Sequence, residues 1–331
     1  MSAPDSLGKF RHEALLYSGW AEFVAGTVPF IRQGVKADEP VLVVESVDKI
    51  EMLRVALGGE ADAVLFADMA EVGSNPARII PAWHEFVTRH GGSGRMRGIG
   101  EPIWKGRSPD ELIECQRHES LLNVAFGHGE PWWLLCPYDT ERLDASVIDE
   151  ARRSHEYVVE RSEVRRSETF RGLEESGAPF DVPLPDRGSS VGDMTFGLEG
   201  LASVRNLVTR HARAAGLDAG RAKELMTAVN EIATNSVRHG GGRGTLRIWQ
   251  EQAAVVCEIR DTGRLSNPLA DRQRPTPIHT APRGLWLVNH LCDLVQIRNF
   301  ADGTVIRLHM RRKPQHRLSV VPDVQGDGSF N

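Results

Sequence analysis

Asn230-Glu231-Ile232-Ala233-Thr234-Asn235-Ser236-Val237-Arg238-His239-Gly240 is the stretch on which the reading of the C-terminal third turns. It lies late in a segment, 219–239, that reads as a helix capped by Asp218 and stopped by the triplet Gly240-Gly241-Gly242. Glu231 and Asn235 stand one turn apart and share a face. A magnesium ion takes oxygen ligands and keeps several waters, and the Asn235 amide oxygen can supply one ligand without adding charge. The Glu231 carboxylate can orient a water or accept a proton from an attacking hydroxyl. A Glu/Asn pair at this spacing is also common on exposed helices, so alone it means little.

Three further pieces lie downstream. Asp261-Thr262-Gly263 comes directly after the apolar run 255–260. An aspartate at a strand end can accept a hydrogen bond from the exocyclic amine of adenine, and a glycine two residues on lets backbone approach the base. Arg283-Gly284-Leu285-Trp286-Leu287-Val288 opens a short helix whose free N–H groups can bind phosphate. Gly303-Thr304 restarts a strand after the turn Ala301-Asp302-Gly303. Each piece taken singly also describes an ordinary turn. Around them, 198–215 reads as a helix, and 245–250 with 254–260, and 294–299 with 304–310, read as hairpins. The domain begins near Asp193.

In order and spacing, the four pieces resemble the N, G1, G2 and final Gly-Thr boxes of the GHKL ATPase superfamily. The resemblance is closest to the anti-sigma-factor serine kinase branch and covers 193–312. It implies an α+β two-layer sandwich of the Bergerat type, with ATP held between sheet and lid. By the same resemblance Asn235 holds magnesium, Glu231 is the general base and Asp261 contacts adenine. Gly263 and Gly284 allow close backbone approach, Arg283 and Leu285 belong to the phosphate loop, and Thr304 lies near the base. The lid is 264–282; Arg272 and Arg274 within it, and Arg283 directly after it, are candidates for phosphate contacts. Two positions depart from the family pattern. Pro282 replaces the glycine expected before Arg283, and Leu265 stands where kinases often have glycine. Both leave nucleotide binding expected and put phosphoryl transfer in question.

The first half of the chain has a different pattern. The run Pro40-Val41-Leu42-Val43-Val44-Glu45 is continuously apolar up to its last residue, as in a strand buried on both faces. Strand-like runs at 12–17, 64–67 and 132–136 alternate with helical segments at 20–34, 47–57, 76–90 and 109–127. This alternation predicts an α/β domain with a mainly parallel sheet. Arg11 to Tyr17, Gly100-Glu101-Pro102-Ile103-Trp104 and the helix running from Glu114 to Phe126 resemble the MEDS sensory domain, over 10–160. Pairing such a domain with a GHKL domain looks like actinobacterial anti-sigma regulatory proteins. His12, Glu101, Glu114, His118 and Glu119 form a candidate sensory site for a metal or polar ligand, against the plainer reading of a structural hydrogen-bond network. Trp104, Trp132 and Trp133 either line a pocket or fill the core.

Between the domains, 143–175 is highly charged and reads as a solvated helix or helical hairpin. Residues 177–192 read as a linker, so that 161–192 joins the two domains, and 313–331 reads as a disordered tail. His155 followed by Glu156 has the look of a histidine-kinase phosphoacceptor, but the surrounding residues do not continue that box.

The 331 residues carry a formal net charge of −5, so charge gives no reason to expect nucleic acid or a membrane as partner. No apolar run reaches the ~18 residues needed to span a bilayer. The N-terminus lacks a signal-peptide pattern. Cys115, Cys136, Cys257 and Cys292 are widely spaced and read as reduced, buried thiols of a cytoplasmic protein, although Cys115 and Cys136 are also possible redox sensors. The leading expectation is a regulator using ATP and magnesium. It acts as a serine/threonine kinase on a STAS-type antagonist, binds a sigma factor and is controlled by the MEDS domain. A non-catalytic ATP-gated binding module and a sensor histidine kinase remain the alternatives. Homodimers are common among relatives, which leaves oligomeric state open.

Overall fold

The apolar run of the first half becomes a strand buried at every position, Val41–Glu45. In the computed structural model, which describes residues 10–92, 94–127, 131–172, 178–186, 190–251, 253–274 and 283–312, it sits inside a seven-stranded sheet. The strands are β1 (Arg11–Tyr17), β2 (Val41–Glu45), β3 (Val64–Asp68), β4 (Met96–Gly100), β5 (Trp132–Asp139), β6 (Tyr157–Glu160) and β7 (Glu163–Arg166), in the order β3-β2-β4-β5-β1-β6-β7. All neighbouring pairs are parallel except β6 with β7. The helices of this domain are α1 (Gly19–Lys36), α2 (Val47–Leu57), α3 (Met69–Val72), α4 (Ile79–His90), α5 (Pro109–Phe126) and α6 (Ala145–Ser154).

Because side chains alternate along a strand, β1 feeds two cores. Ala14 and Leu16 join Trp83, Leu121, Trp132 and Ile148 on one side of the sheet. Leu15 and Tyr17 join Phe23, Ile31 and Leu53 on the other. Helix α5 begins in a capping box in which Ser108 and Glu111 satisfy each other's backbone N–H groups.

The charged stretch 143–175 is not the helical connector expected from its composition. Among its described residues only Ala145–Ser154 is helical. The chain then returns to the sheet as β6, parallel to β1, and turns back as β7 through Arg161 and Ser162 at φ 51° and 66°. Every residue of β7 is exposed, so charge on this outer edge strand costs nothing and discourages edge pairing. Of the linker, 178–186 packs on the C-terminal domain, where the Pro185 carbonyl accepts from Arg307. Residues 173–177 and 187–189, the tail 313–331 and the part of the lid at 275–282, Pro282 included, lie outside the described residues.

The C-terminal domain is a five-stranded antiparallel sheet, β8 (Gly192–Phe196), β9 (Gly244–Gln250), β10 (Ala254–Asp261), β11 (Leu294–Phe300) and β12 (Gly303–Arg311), in the order β11-β12-β10-β9-β8. Helices α7 (Leu201–Ala214), α8 (Ala219–His239) and α9 (Arg283–Leu291) bury Val204, Leu225, Ile232 and Val288 against Leu246, Ile259 and Leu308. This is the expected two-layer sandwich; β8 had no clear signal in the sequence.

The two domains meet through packed contacts. Leu269, from the segment 264–282 expected to form a lid, sits in the N-terminal core. Asn75 donates to the carbonyls of Asn289 (3.0 Å) and Cys292 (3.4 Å). Buried Arg272 donates to the Pro76 carbonyl at 3.3 Å. Arg298 lies 2.7 Å from Glu114, both about 1% exposed, and Arg311 contacts Glu111.

Candidate nucleotide site and sensory core

Helix α8 presents Glu231 and Asn235 half-buried on one face. The glycine of the next helix fits against them. A β-carbon added at Gly284 would fall 3.0 Å from Glu231 Oε2 and 3.3 Å from Asn235 Nδ2. The start of α9, where a helix leaves N–H groups without intrahelical partners, therefore faces the Glu/Asn pair across a gap that only glycine leaves open. Leu285 is different. Its side chain is core, packed with Val288 and Cys292, so it can offer a nucleotide only backbone. The side chain of Arg283 lies outside the described residues.

Beside the C-terminal end of α8, Asp261 closes β10. Its Oδ2 accepts from Ser236 Oγ at 2.5 Å and its Oδ1 from the Gly263 N–H at 2.8 Å. Each carboxylate oxygen has a second lone pair, so the half-exposed group keeps acceptor capacity for an amine. Thr304, opposite Asp261 in register, donates to the Gly263 carbonyl at 2.7 Å. Backbone closeness is enforced on several sides. A β-carbon on Gly263 would meet Gly240 Cα and the His239 carbonyl at 2.8 Å, and one on Gly240 would meet Asp261 Cγ at 2.5 Å. Gly303 has φ 148° and abuts the Asp261 carbonyl.

The structure thus gathers Glu231, Asn235 and Gly284 in one group and Asp261, Gly263 and Thr304 in another. Sequence reading missed Ser236, which orients Asp261, and Asn299. The Asn299 side chain accepts from the Leu265 N–H at 3.2 Å and donates to the Leu265 carbonyl at 2.8 Å, fixing the start of the lid. It also missed Gly240. Of the lid arginines, Arg274 is exposed, whereas Arg272 is buried at the domain interface, where burial pushes its guanidinium below its ordinary pKa. A side chain so placed cannot reach phosphate unless the interface opens.

The five sensory candidates do not form one site. Glu114 pairs with Arg298 of the C-terminal domain. His118 is buried in α5, and burial lowers its pKa to about 3. Glu101 lies at the carboxyl end of the sheet, where it accepts from Tyr17 Oη at 2.9 Å and pairs with Lys49, beside Glu45. These groups, with Trp20, Trp104 and Asp139, line a cleft of about 410 Å³ beyond the ends of β1, β2, β4 and β5. Open parallel sheets bind ligands at that edge. Of the three tryptophans only Trp104 lines it; Trp132 is core, and Trp133 packs against the guanidinium groups of Arg11 and Arg97. Only His12 and Glu119 come together, with the ring of His12 3.2 Å from Glu119 Oε2. Burial lowers the His12 pKa to about 4. All four cysteines are free and buried, and burial pushes the Cys115 thiol up to about 12, which opposes a thiolate redox sensor there. His155 is fully buried, its Nδ1 donating to the Ala151 carbonyl at 2.8 Å, so a phosphoryl donor cannot reach it in this fold.

Comparison with known families agrees with this division. Residues 11–156 match the MEthanogen/methylotroph, DcmR Sensory domain, MEDS, and residues 194–310 match the histidine kinase-like ATPase domain. The chain pairs a MEDS domain with a histidine kinase-like ATPase domain. The match to that domain supports nucleotide binding by residues 194–310. Among solved structures, the RsbU and RsbW domains of Rv1364c from Mycobacterium tuberculosis align at 16% identity and a TM-score of 0.28, over 39% of this chain and 35% of that one. The chain thus spans about a third of that structure's length. The catalytic domain of histidine kinase ThkA aligns at 14% and 0.25, over 37% and 97%. Acinetobacter baumannii histidine kinase AdeS aligns at 13% and 0.26, over 38% and 70%. No curated protein matches the chain. No helix among the described residues is long and apolar enough to cross a membrane.

Proposed function

We propose that the chain is a cytoplasmic anti-sigma-type regulator. Its ATPase domain binds ATP with magnesium, phosphorylates a serine or threonine of a STAS-type antagonist, binds a sigma factor, and answers to the MEDS domain. The observation that carries this reading is the meeting of Gly284 with Glu231 and Asn235. Asn235 would hold the metal through its amide oxygen, Asp261 the adenine amine, and the start of α9 the phosphates. Bound magnesium would neutralise charge on the phosphates. Glu231 would take the proton of the attacking hydroxyl as its oxygen bonds to the γ-phosphorus and ADP leaves.

Control by the MEDS domain is supported by the lid. Leu269 and Arg272 are held by that domain, so the lid cannot rearrange over nucleotide without releasing them. A second reading, an ATP-gated binding module without transfer, is favoured by the pairing of Leu265 with Asn299, which pins the start of the lid to β11. The test is incubation with labelled ATP, magnesium and a panel of STAS proteins, beside Asn235→Ala and Glu231→Gln. Acid-stable label on a partner, absent with Glu231→Gln although nucleotide still binds, supports the kinase. Nucleotide binding without label favours the module, and failure to bind nucleotide removes both.

A further inference from the structure

Four side chains from four separate elements converge inside the MEDS domain: His12 on β1, Glu119 on α5, Cys136 on β5 and His155 just after α6. One ligand atom from each lies within 4.8 Å of the other three, and all four residues are buried. His12 Nε2 is 3.2 Å from Glu119 Oε2 and 3.3 Å from Cys136 Sγ, and His155 Nε2 is 3.2 Å from the same Glu119 oxygen. Ligand atoms about 2.0–2.3 Å from a shared tetrahedral centre stand about 3.3–3.8 Å apart, close to this spacing. The two imidazoles lie over one another, centroids 3.9 Å apart and planes at 41°, and present the same edges to the carboxylate.

Proton accounting points the same way. His155 Nδ1 faces the Ala151 carbonyl at 2.8 Å, which can only accept, so Nδ1 carries the proton. Asn123 Nδ2 donates to the Ser154 carbonyl at 2.7 Å, which turns its Oδ1 toward His12 Nδ1 at 3.1 Å and places a proton there too. Both Nε2 atoms face the same Glu119 oxygen, and each ring, when uncharged, turns a lone pair toward it. His155 Nε2 and Glu119 Oε1 have no hydrogen-bond partner. The Cys136 thiol offers one proton to a cluster of three acceptors. Acceptors facing acceptors in a dry core are costly unless a cation lies among them.

We infer that His12, Glu119, Cys136 and His155 bind one divalent transition metal ion, of the zinc or ferrous class. Two imidazoles, a thiolate and a carboxylate make a mixed donor set of that class. The charges also cancel: a divalent ion, one thiolate and one carboxylate sum to zero, so the filled site leaves no net charge buried. Metal-bound thiols give up their proton. Asn123 and the Ala151 carbonyl fix the two imidazoles through their outer nitrogens, as supports of ligating histidines do. Glu119 is one turn and a residue beyond Glu114 on the same helix, so an ion at this position acts on the element that grips Arg298.

The test is metal analysis of the full-length chain produced in defined media supplied with zinc, iron or cobalt. About one equivalent of metal per chain is expected. The cobalt form should show tetrahedral visible bands and a thiolate charge-transfer band. Cys136→Ser should lose the charge-transfer band, and Asn123→Ala should weaken binding about tenfold or more. Folding of each variant is checked by circular dichroism. Should the variants not fold, the cobalt spectrum of the unaltered chain decides alone. Folded chain carrying less than about a tenth of an equivalent from all three media overturns the assignment. So does a cobalt spectrum without thiolate charge transfer, or metal content unchanged in a folded His12→Ala, His155→Ala double variant.

Discussion

Glu114→Gln tests whether the interdomain clamp is electrostatic. Glu114 is a buried anion among three arginines. Arg298 stands at 2.7 Å, Arg117 at 3.9 Å, and Arg272 is close enough to feel its charge. The close approach of Arg298 is off the hydrogen-bonding axis of the carboxylate, since neither Glu114 oxygen has a hydrogen-bond partner, so charge carries the contact. The amide keeps the shape and removes the charge, leaving three cations facing one another in a dry interface. Breaking a buried ion pair from one side costs about 3–5 kcal/mol. If that cost falls on docking, even the lower figure favours the open arrangement by roughly 150-fold. Hydrogen exchange of 264–274 and of 72–78 should then accelerate by about two orders of magnitude, while exchange in β9 and β10 stays unchanged. Replacing both Glu114 and Arg298 with methionine should recover part of the loss. Exchange in Glu114→Gln within about threefold of the unaltered chain would refute an electrostatic clamp.

Other consequences are smaller in scope. Gly284→Ala places a methyl 3.0 Å from Glu231 Oε2 and should weaken binding of a fluorescent nucleotide by about tenfold or more, with the melting temperature nearly unchanged. Gly303→Ala combines a φ of 148° with a clash on the Asp261 carbonyl; denaturant titration should show a loss of about 2–4 kcal/mol in the ATPase domain. Burial and the neighbouring Glu101 raise the Glu45 carboxyl above its ordinary pKa, despite Lys49. A raised carboxyl in the folded state contributes stability at low pH and loses it as pH rises through the folded pKa. Glu45→Gln should therefore melt higher than the unaltered chain at pH 8, by about 2–4 °C per kcal/mol relieved, with the gap closing toward pH 4.

The sequence made the ATPase domain legible because its signals are local: a Glu/Asn pair one turn apart, glycines at fixed offsets, hairpins at turn residues. The parallel sheet was legible from β2 and its alternation with helices. The edge hairpin was not. Glu163, Arg165 and Arg166 face solvent on both sides of β7, so no apolar alternation marks it, and its turn, Arg161-Ser162, lacks the glycine or asparagine that usually flags such a conformation. The sensory residues were half legible. His12 and Glu119 did come together, but Cys136 and His155 arrive from distant elements, and nothing local announces them. Glu114 and Arg272 were misjudged because their partners lie across the domain boundary.

Helix α5 also limits how freely these two domains can be exchanged with others. Its first turns supply Glu111 and Glu114 to Arg311 and Arg298 of the neighbouring domain, and its later turns supply His118 and Glu119 to its own core. A chimera that grafts another sensory domain onto this ATPase domain would bring a foreign helix to Arg298 and Arg311. It would fold as two pieces and fail as one molecule unless the acidic pair travels with the arginines. The unit to be moved is the helix together with β11 and β12, which carry its partners, and it straddles the boundary at which the chain would otherwise be cut.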